Sequence, residues 1–171
     1  LTDLELTDTA YRIANQRDYP SWGHWLAQGA TTLWERWDGE ASRNHHMFSD
    51  IGAWFYKALA GIRPDPARPG FSHMLIAPST VPDLAHASGE TRTPYGTVKS
   101  AWNRAGEMIE FSVQIPANTT ATIALPTSRP DDITEGGGPA GEFRDIVFRG
   151  VEGPRAVFEA GGGRYRFIAP V

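Results

Sequence analysis

Glu35 stands between Trp34 and Trp37 in the run Gly29-Ala-Thr-Thr-Leu-Trp-Glu-Arg-Trp-Asp38. A soluble domain gains little from exposing indoles and cannot bury an unpaired carboxylate cheaply. A cleft satisfies both demands, because indole faces stack on the apolar faces of a sugar ring while the carboxylate exchanges a proton with water or a hydroxyl. Five of the six tryptophans, Trp22, Trp25, Trp34, Trp37 and Trp54, gather around this run. The competing reading is a tryptophan-rich core in which Glu35 pairs with Arg36 or Arg43.

Other reactive side chains follow closely. Asp38 and Glu40 are the nearest second carboxylates, but Asp38 precedes Gly39 in a turn-like stretch, where capping or orienting competes with catalysis. His45 either donates a hydrogen bond to a ligand hydroxyl or caps a helix beginning near Asn44, and His46 reads as structural. Adjacent histidines at a helix start point apart and the His-Glu-x-x-His spacing is missing, so neither a metal nor another cofactor is expected. Trp34 and Trp37 divide between pocket wall and core. Trp22 and Trp25 can line a pocket or stabilise helix packing.

The elements that must hold these residues are helical. Leu4, Leu6, Ala10, Tyr11, Ile13 and Ala14 recur at helical spacing, as do Phe48, Ile51, Trp54, Phe55, Ala58 and Leu59. A shorter helix is expected over 22–28, with Ser21 as N-cap behind Pro20. Gly61 is the expected C-cap of the last helix, with Pro64 and Pro66 stopping it.

Near Arg63-Pro-Asp-Pro-Ala-Arg-Pro-Gly70 the texture changes to period two. Strands are expected over 71–77, 96–102, 108–115, 119–125, 143–148 and 164–168. Pro94-Tyr-Gly96, Arg104-Ala-Gly106, Pro116-Ala-Asn118 and Gly161-Gly-Gly163 have hairpin-turn chemistry, which predicts an antiparallel sandwich. Trp102 is expected in its core, and Asn118 as a turn residue rather than a glycan acceptor. Gly136-Gly-Gly-Pro139 reads as a mobile loop, since it lacks the ending of a phosphate cradle.

Composition narrows the partners. The 171 residues are 40% hydrophobic and 21% charged, as in a globular chain. A net charge of −4 and a pI near 5.7, with scattered basic residues, argue against nucleic acid and against an anionic membrane. Absence of cysteine excludes disulfides and thiolate metal sites and leaves the compartment open. Starting at Leu1, inside a helical pattern, the chain reads as a fragment.

The runs Tyr19-Pro-Ser-Trp-Gly23, Gly29 to Asp38, Ser42-Arg-Asn-His-His46 and Ile51-Gly-Ala-Trp-Phe-Tyr56 closely resemble the C-terminal end of the bacterial α-L-rhamnosidases of glycoside hydrolase family 78. The resemblance implies an α+β chain in which 1–63 are the last helices of an (α/α)6 barrel and 64–171 an antiparallel β-sandwich. It also implies an inverting hydrolase releasing terminal α-L-rhamnose, with Glu35 as general base and His45 contacting the sugar; the reading of the aromatic residues themselves adds Trp22, Trp34 and Trp37 as candidate substrate-binding residues. The family carries its general acid upstream, outside this chain. Only Gly39-Glu-Ala41 separates the tryptophan motif from Ser42, a shorter loop than in many relatives.

Two function classes follow. One is part of a rhamnosidase, acting on rhamnose-containing glycosides only with the remainder of its barrel, inactive alone, and self-associating through its unpartnered helices. The other is a stand-alone carbohydrate-binding or interaction module. Exposed aromatics on the strands would favour the module, but Trp102 is the one tryptophan after residue 70 and sits at an apparent core position.

Overall fold

The apolar spacing of residues 4–14 predicts one helix, but the computed structural model, which describes residues 1–4 and 6–170, resolves it into a 3₁₀ turn, Thr2–Leu4, and helix α1, Thr7–Ala14. Neither buries any of its residues. Leu4 is 72% exposed and Ile13 48%, while Ala10, Tyr11 and Ala14 are half-buried, so the stripe that patterned the sequence is only partly covered. Helix α2, Trp22–Ala27, begins where expected: the Ser21 hydroxyl accepts the His24 N–H at 2.9 Å and satisfies one orphan donor. The single helix expected over 48–59 is instead α3, Asp50–Trp54, followed by a π-helical turn, Phe55–Leu59. Trp54 donates its indole N–H to Thr2 Oγ1 at 2.8 Å, whereas Phe55, part of the same apolar spacing, is exposed.

The chain forms two compact units, Leu1–Phe55 and Tyr56–Val171. In the second, the orphan carbonyls at the helix end find partners: Ala58 accepts the Ser79 N–H and Leu59 accepts the Trp102 indole N–H, both at 2.9 Å. Gly61 ends the turn at φ +75°, and a Cβ there would lie 2.2 Å from the Pro78 nitrogen, so glycine is required twice over.

Among the described residues, eleven strands follow: β1 (Ile62–Pro64), β2 (His73–Ile76), β3 (His86–Thr93), β4 (Gly96–Ala105), β5 (Met108–Ile115), β6 (Thr120–Pro126), β7 (Thr134–Glu135), β8 (Gly138–Pro139), β9 (Ile146–Glu152), β10 (Arg155–Ala160) and β11 (Gly163–Pro170). They form a five-stranded sheet, β1-β2-β6-β10-β9, and a six-stranded sheet, β3-β4-β5-β11-β7-β8. Met74, Ile76, Ile123 and Phe158 of the first share one core with Trp102, Phe111, Val113 and Phe167 of the second, as the alternation of a sandwich requires. The α+β class with an antiparallel-rich sandwich is therefore what the chain adopts.

Several local expectations change. One pairing, β2 with β6, is parallel; the chain crosses to the other sheet for β3 to β5 before returning, and so long a connection permits either direction. Pro94-Tyr-Gly96 and Arg104-Ala-Gly106 do close hairpins. Pro116-Ala-Asn118 and Gly161-Gly-Gly163 instead carry the chain from one sheet to the other, with Asn118 at φ +60°. Arg63 and Pro64, at the start of the proline-rich stretch, lie in β1, which is antiparallel to β2. Gly136 and Gly137, both at positive φ, form the tight turn of the β7–β8 hairpin rather than a mobile loop.

His73 is buried in the five-stranded sheet, its Nδ1 2.6 Å from Thr120 Oγ1 and its Nε2 2.9 Å from Thr122 Oγ1. Burial, then the Arg68 charge, hold its pKa below the ordinary 6.5, against the opposing pull of Asp65 and Glu159.

Candidate functional site

Between α2 and α3 the backbone is irregular, and hydrogen bonds rather than regular secondary structure hold it. Glu35 N–H donates to the Ser42 carbonyl at 2.8 Å, His45 N–H to the Leu33 carbonyl at 2.9 Å, and the Thr32 hydroxyl to the Arg43 carbonyl. These bonds lay residues 32–35 antiparallel to 42–45, placing Glu35 and His45 on the two arms of one ribbon. Ser42 N–H breaks the ladder: it donates to the Glu35 side chain, at 3.2 Å from Oε2. One carboxylate oxygen of a half-buried glutamate is thereby fixed.

The tip of the ribbon is equally tied down. Asp38 takes Arg36 at 2.5 Å on Oδ2 and the Glu40 N–H at 3.0 Å on Oδ1, so it orients the turn. Gly39 sits at φ +70°, where a Cβ would lie 2.6 Å from the Trp34 ring. Arg43 donates from Nε to the Gly39 carbonyl at 3.1 Å and holds its guanidinium 4.6 Å from the Trp34 ring centroid. Both arginines that could have neutralised Glu35 are thus engaged elsewhere, and among the described residues no ion pair reaches it.

His45 is half-buried, and its Nδ1 accepts the Met47 N–H at 3.0 Å. The ring therefore does cap a turn, and in its neutral form it carries its hydrogen on Nε2 as a free donor. It stacks on the exposed His46 at 4.8 Å. Among the described residues no three His, Asp or Glu side chains gather as a metal site.

Trp22, Trp25, Trp34 and Trp37 form one cluster. Trp25, 2% exposed, is its centre; its ring lies 4.5 Å from Trp37 and 5.6 Å from Trp34, and its indole N–H donates to the Trp37 carbonyl at 2.9 Å. Trp37 is held between Trp25 and Phe48, whose ring is 4.2 Å away. Trp22 meets Trp37 edge-on at 5.4 Å and donates to the Phe48 carbonyl at 3.3 Å. Trp34 is 5% exposed, while Trp22 and Trp37 are half-buried and keep part of their rings open to the surface.

Sequence reasoning singled out neither Ser42 as the partner of Glu35 nor Arg43 as the brace of Trp34. The one available signal was Gly39, whose spacing between Trp34 and Arg43 marks a tight reversal. A shallow groove of about 300 Å³ in the second unit, lined by His86, Ser88, Asn103 and Glu110 among others, contains none of the residues around Glu35.

Comparison with known proteins bears on this arrangement. Residues 1–59 match the model of the bacterial alpha-L-rhamnosidase 6 hairpin glycosidase domain, and 61–139 that of the bacterial alpha-L-rhamnosidase C-terminal domain. An alpha-L-rhamnosidase of Streptomyces avermitilis is 33% identical over 98% of this chain, which spans 16% of that protein. The crystal structure of Streptomyces avermitilis alpha-L-rhamnosidase complexed with L-rhamnose superposes with a TM-score of 0.88 at 32% identity, over 99% of this chain and 16% of that one. The alpha-L-rhamnosidase from Dictyoglumus thermophilum gives 0.87 at 30% identity, over 100% of this chain and 20% of that one.

Proposed function

The chain belongs to the bacterial α-L-rhamnosidase family, and from that membership we propose that it forms the C-terminal part of an inverting glycoside hydrolase that releases terminal α-L-rhamnose. It contributes Glu35 as general base and His45 as a sugar contact. The observation that carries this reading is the state of Glu35: Oε2 is anchored by the Ser42 N–H while both neighbouring arginines are committed elsewhere. An anchored carboxylate without a cationic partner is suited to draw a proton from water.

The chemistry follows from that geometry. In inversion, water attacks the anomeric carbon from the face opposite the leaving group, with two carboxyl groups roughly 6.5–9.5 Å apart so that water fits between the base and the sugar. Oε1 of Glu35 takes the water proton as the C1–O bond forms. A carboxylic acid elsewhere in the full-length polypeptide protonates the departing oxygen as the old C1–O bond breaks. The Nε2–H of His45 donates to a sugar hydroxyl, Trp22 and Trp37 offer apolar surface to the ring, and Trp34 supports the ribbon from beneath.

The chain alone lacks the acid and most of the pocket, so it is inactive in isolation, and its uncovered helices meet the upstream hairpins of the full-length protein. With an aryl α-L-rhamnoside, proton NMR of the first-formed sugar tests the assignment: full-length enzyme should release β-L-rhamnose, and initial α-L-rhamnose would overturn inversion and with it the role of Glu35.

A further inference from the structure

Arg43 braces the loop that aims Glu35. Its side chain spans two points of that loop at once, the Gly39 carbonyl at 3.1 Å and the Trp34 ring at 4.6 Å, and its own carbonyl is held by the Thr32 hydroxyl. Trp34 directly precedes the segment whose ends are Glu35 and Ser42, and Gly39 lies at the tip within it, so the guanidinium ties that tip back to the first arm of the ribbon. The Ser42 N–H can reach Glu35 Oε2 only while the segment stays closed. Arg43 is otherwise exposed, so removing it opens no core cavity. Lysine cannot substitute, because it lacks both the planar face that lies on an indole and a donor partway along the stem.

We propose that Arg43 is a positioning residue for the general base, holding the Glu35 carboxylate in its attacking orientation without touching the substrate. This rests on the assignment of Glu35 as base. In the full-length enzyme, Arg43→Ala should lower kcat about ten- to a hundredfold, the scale of a misplacement near 1 Å, with KM and L-rhamnose affinity within about twofold. Deuterium exchange at the Ser42 amide should accelerate while the sandwich amides keep their protection. Added guanidinium ion should restore kcat to Arg43→Ala but not to Glu35→Gln, and Arg43→Lys should remain impaired. If Arg43→Ala disturbs the fold, Arg43→Gln, which keeps the stem, carries the same measurements. Unchanged kcat in an Arg43 variant beside an inactive Glu35→Gln would overturn the role of Arg43 and leave Glu35 standing. Parallel loss of rhamnose affinity would make Arg43 a substrate contact and equally overturn it. An active Glu35→Gln would remove the underlying assignment itself.

Discussion

Glu35 and Ser42 are joined twice, backbone to backbone at 2.8 Å and Ser42 N–H to carboxylate at 3.2 Å, so one residue supplies both the rung that closes the ribbon and the group that the ribbon presents. The backbone bond fixes where Glu35 stands, and the side-chain bond fixes which oxygen is free.

The isolated chain should hydrolyse no aryl α-L-rhamnoside at an enzymatic rate. In the proposed reading the acid and most of the pocket lie upstream; general acid assistance alone contributes about 10²–10⁴-fold, and the pocket supplies positioning as well. A release assay with the purified chain beside the full-length enzyme checks this, and comparable turnover by both would contradict it.

Leu4, Leu6, Ile13, Leu26 and Met47 are all exposed in the first unit, Leu4 and Leu26 by 72% and 71%. Burial of each is worth roughly 1.5–3 kcal/mol, so the isolated chain should self-associate through these side chains. Light scattering at micromolar concentration should show dimers or larger species, and joint replacement of Leu4, Ile13 and Leu26 by serine should return a monomer. A folded wild-type monomer would show that these apolar side chains do not drive association.

The sandwich should lose stability as pH falls through the mid-acidic range because of His73. Its folded pKa lies below the ordinary 6.5, so the unfolded chain binds the proton first and stability drops as pH passes downward through that value. Glu110 and Glu159, held below their ordinary 4.5 chiefly by hydrogen bonds from Arg166 and Arg149, lose their contributions only at lower pH. Denaturant melts between pH 7 and pH 5 should therefore show a decline that His73→Gln flattens; an equal decline in both would assign the effect to another group.

Gly61→Ala should destabilise the second unit by about 2–4 kcal/mol, combining left-handed backbone strain with a Cβ driven into the Pro78 backbone. An unchanged urea midpoint would refute this account of the turn.

How far the sequence could be read depended on where the information lay. β5 was legible to the residue, because Met108-Ile-Glu-Phe-Ser-Val-Gln-Ile115 alternates and its inward positions Ile109, Phe111, Val113 and Ile115 are the buried ones. β3 was invisible, since His86-Ala-Ser-Gly-Glu-Thr-Arg-Thr93 pairs through its backbone and offers little apolar alternation. Gly161 to Gly163 announced a reversal, but turn chemistry does not say which sheet receives the next strand. The aromatic motif pointed to Glu35, whereas the anchoring by Ser42 is a backbone bond made after the loop closes, and no residue type encodes it. Arg43 was weighed as a counter-ion for Glu35, yet the indole opposite it on the ribbon holds its guanidinium instead.

The assignment of Glu35 as general base is tested most directly by Glu35→Gln in the full-length enzyme, comparing turnover of an aryl α-L-rhamnoside with calorimetric binding of L-rhamnose. The amide can still accept the Ser42 N–H but cannot take a proton from water, so kcat should fall by about 10²–10⁴-fold while rhamnose affinity stays within about threefold. Retained turnover, or a loss of affinity as large as the loss of turnover, would contradict the assignment.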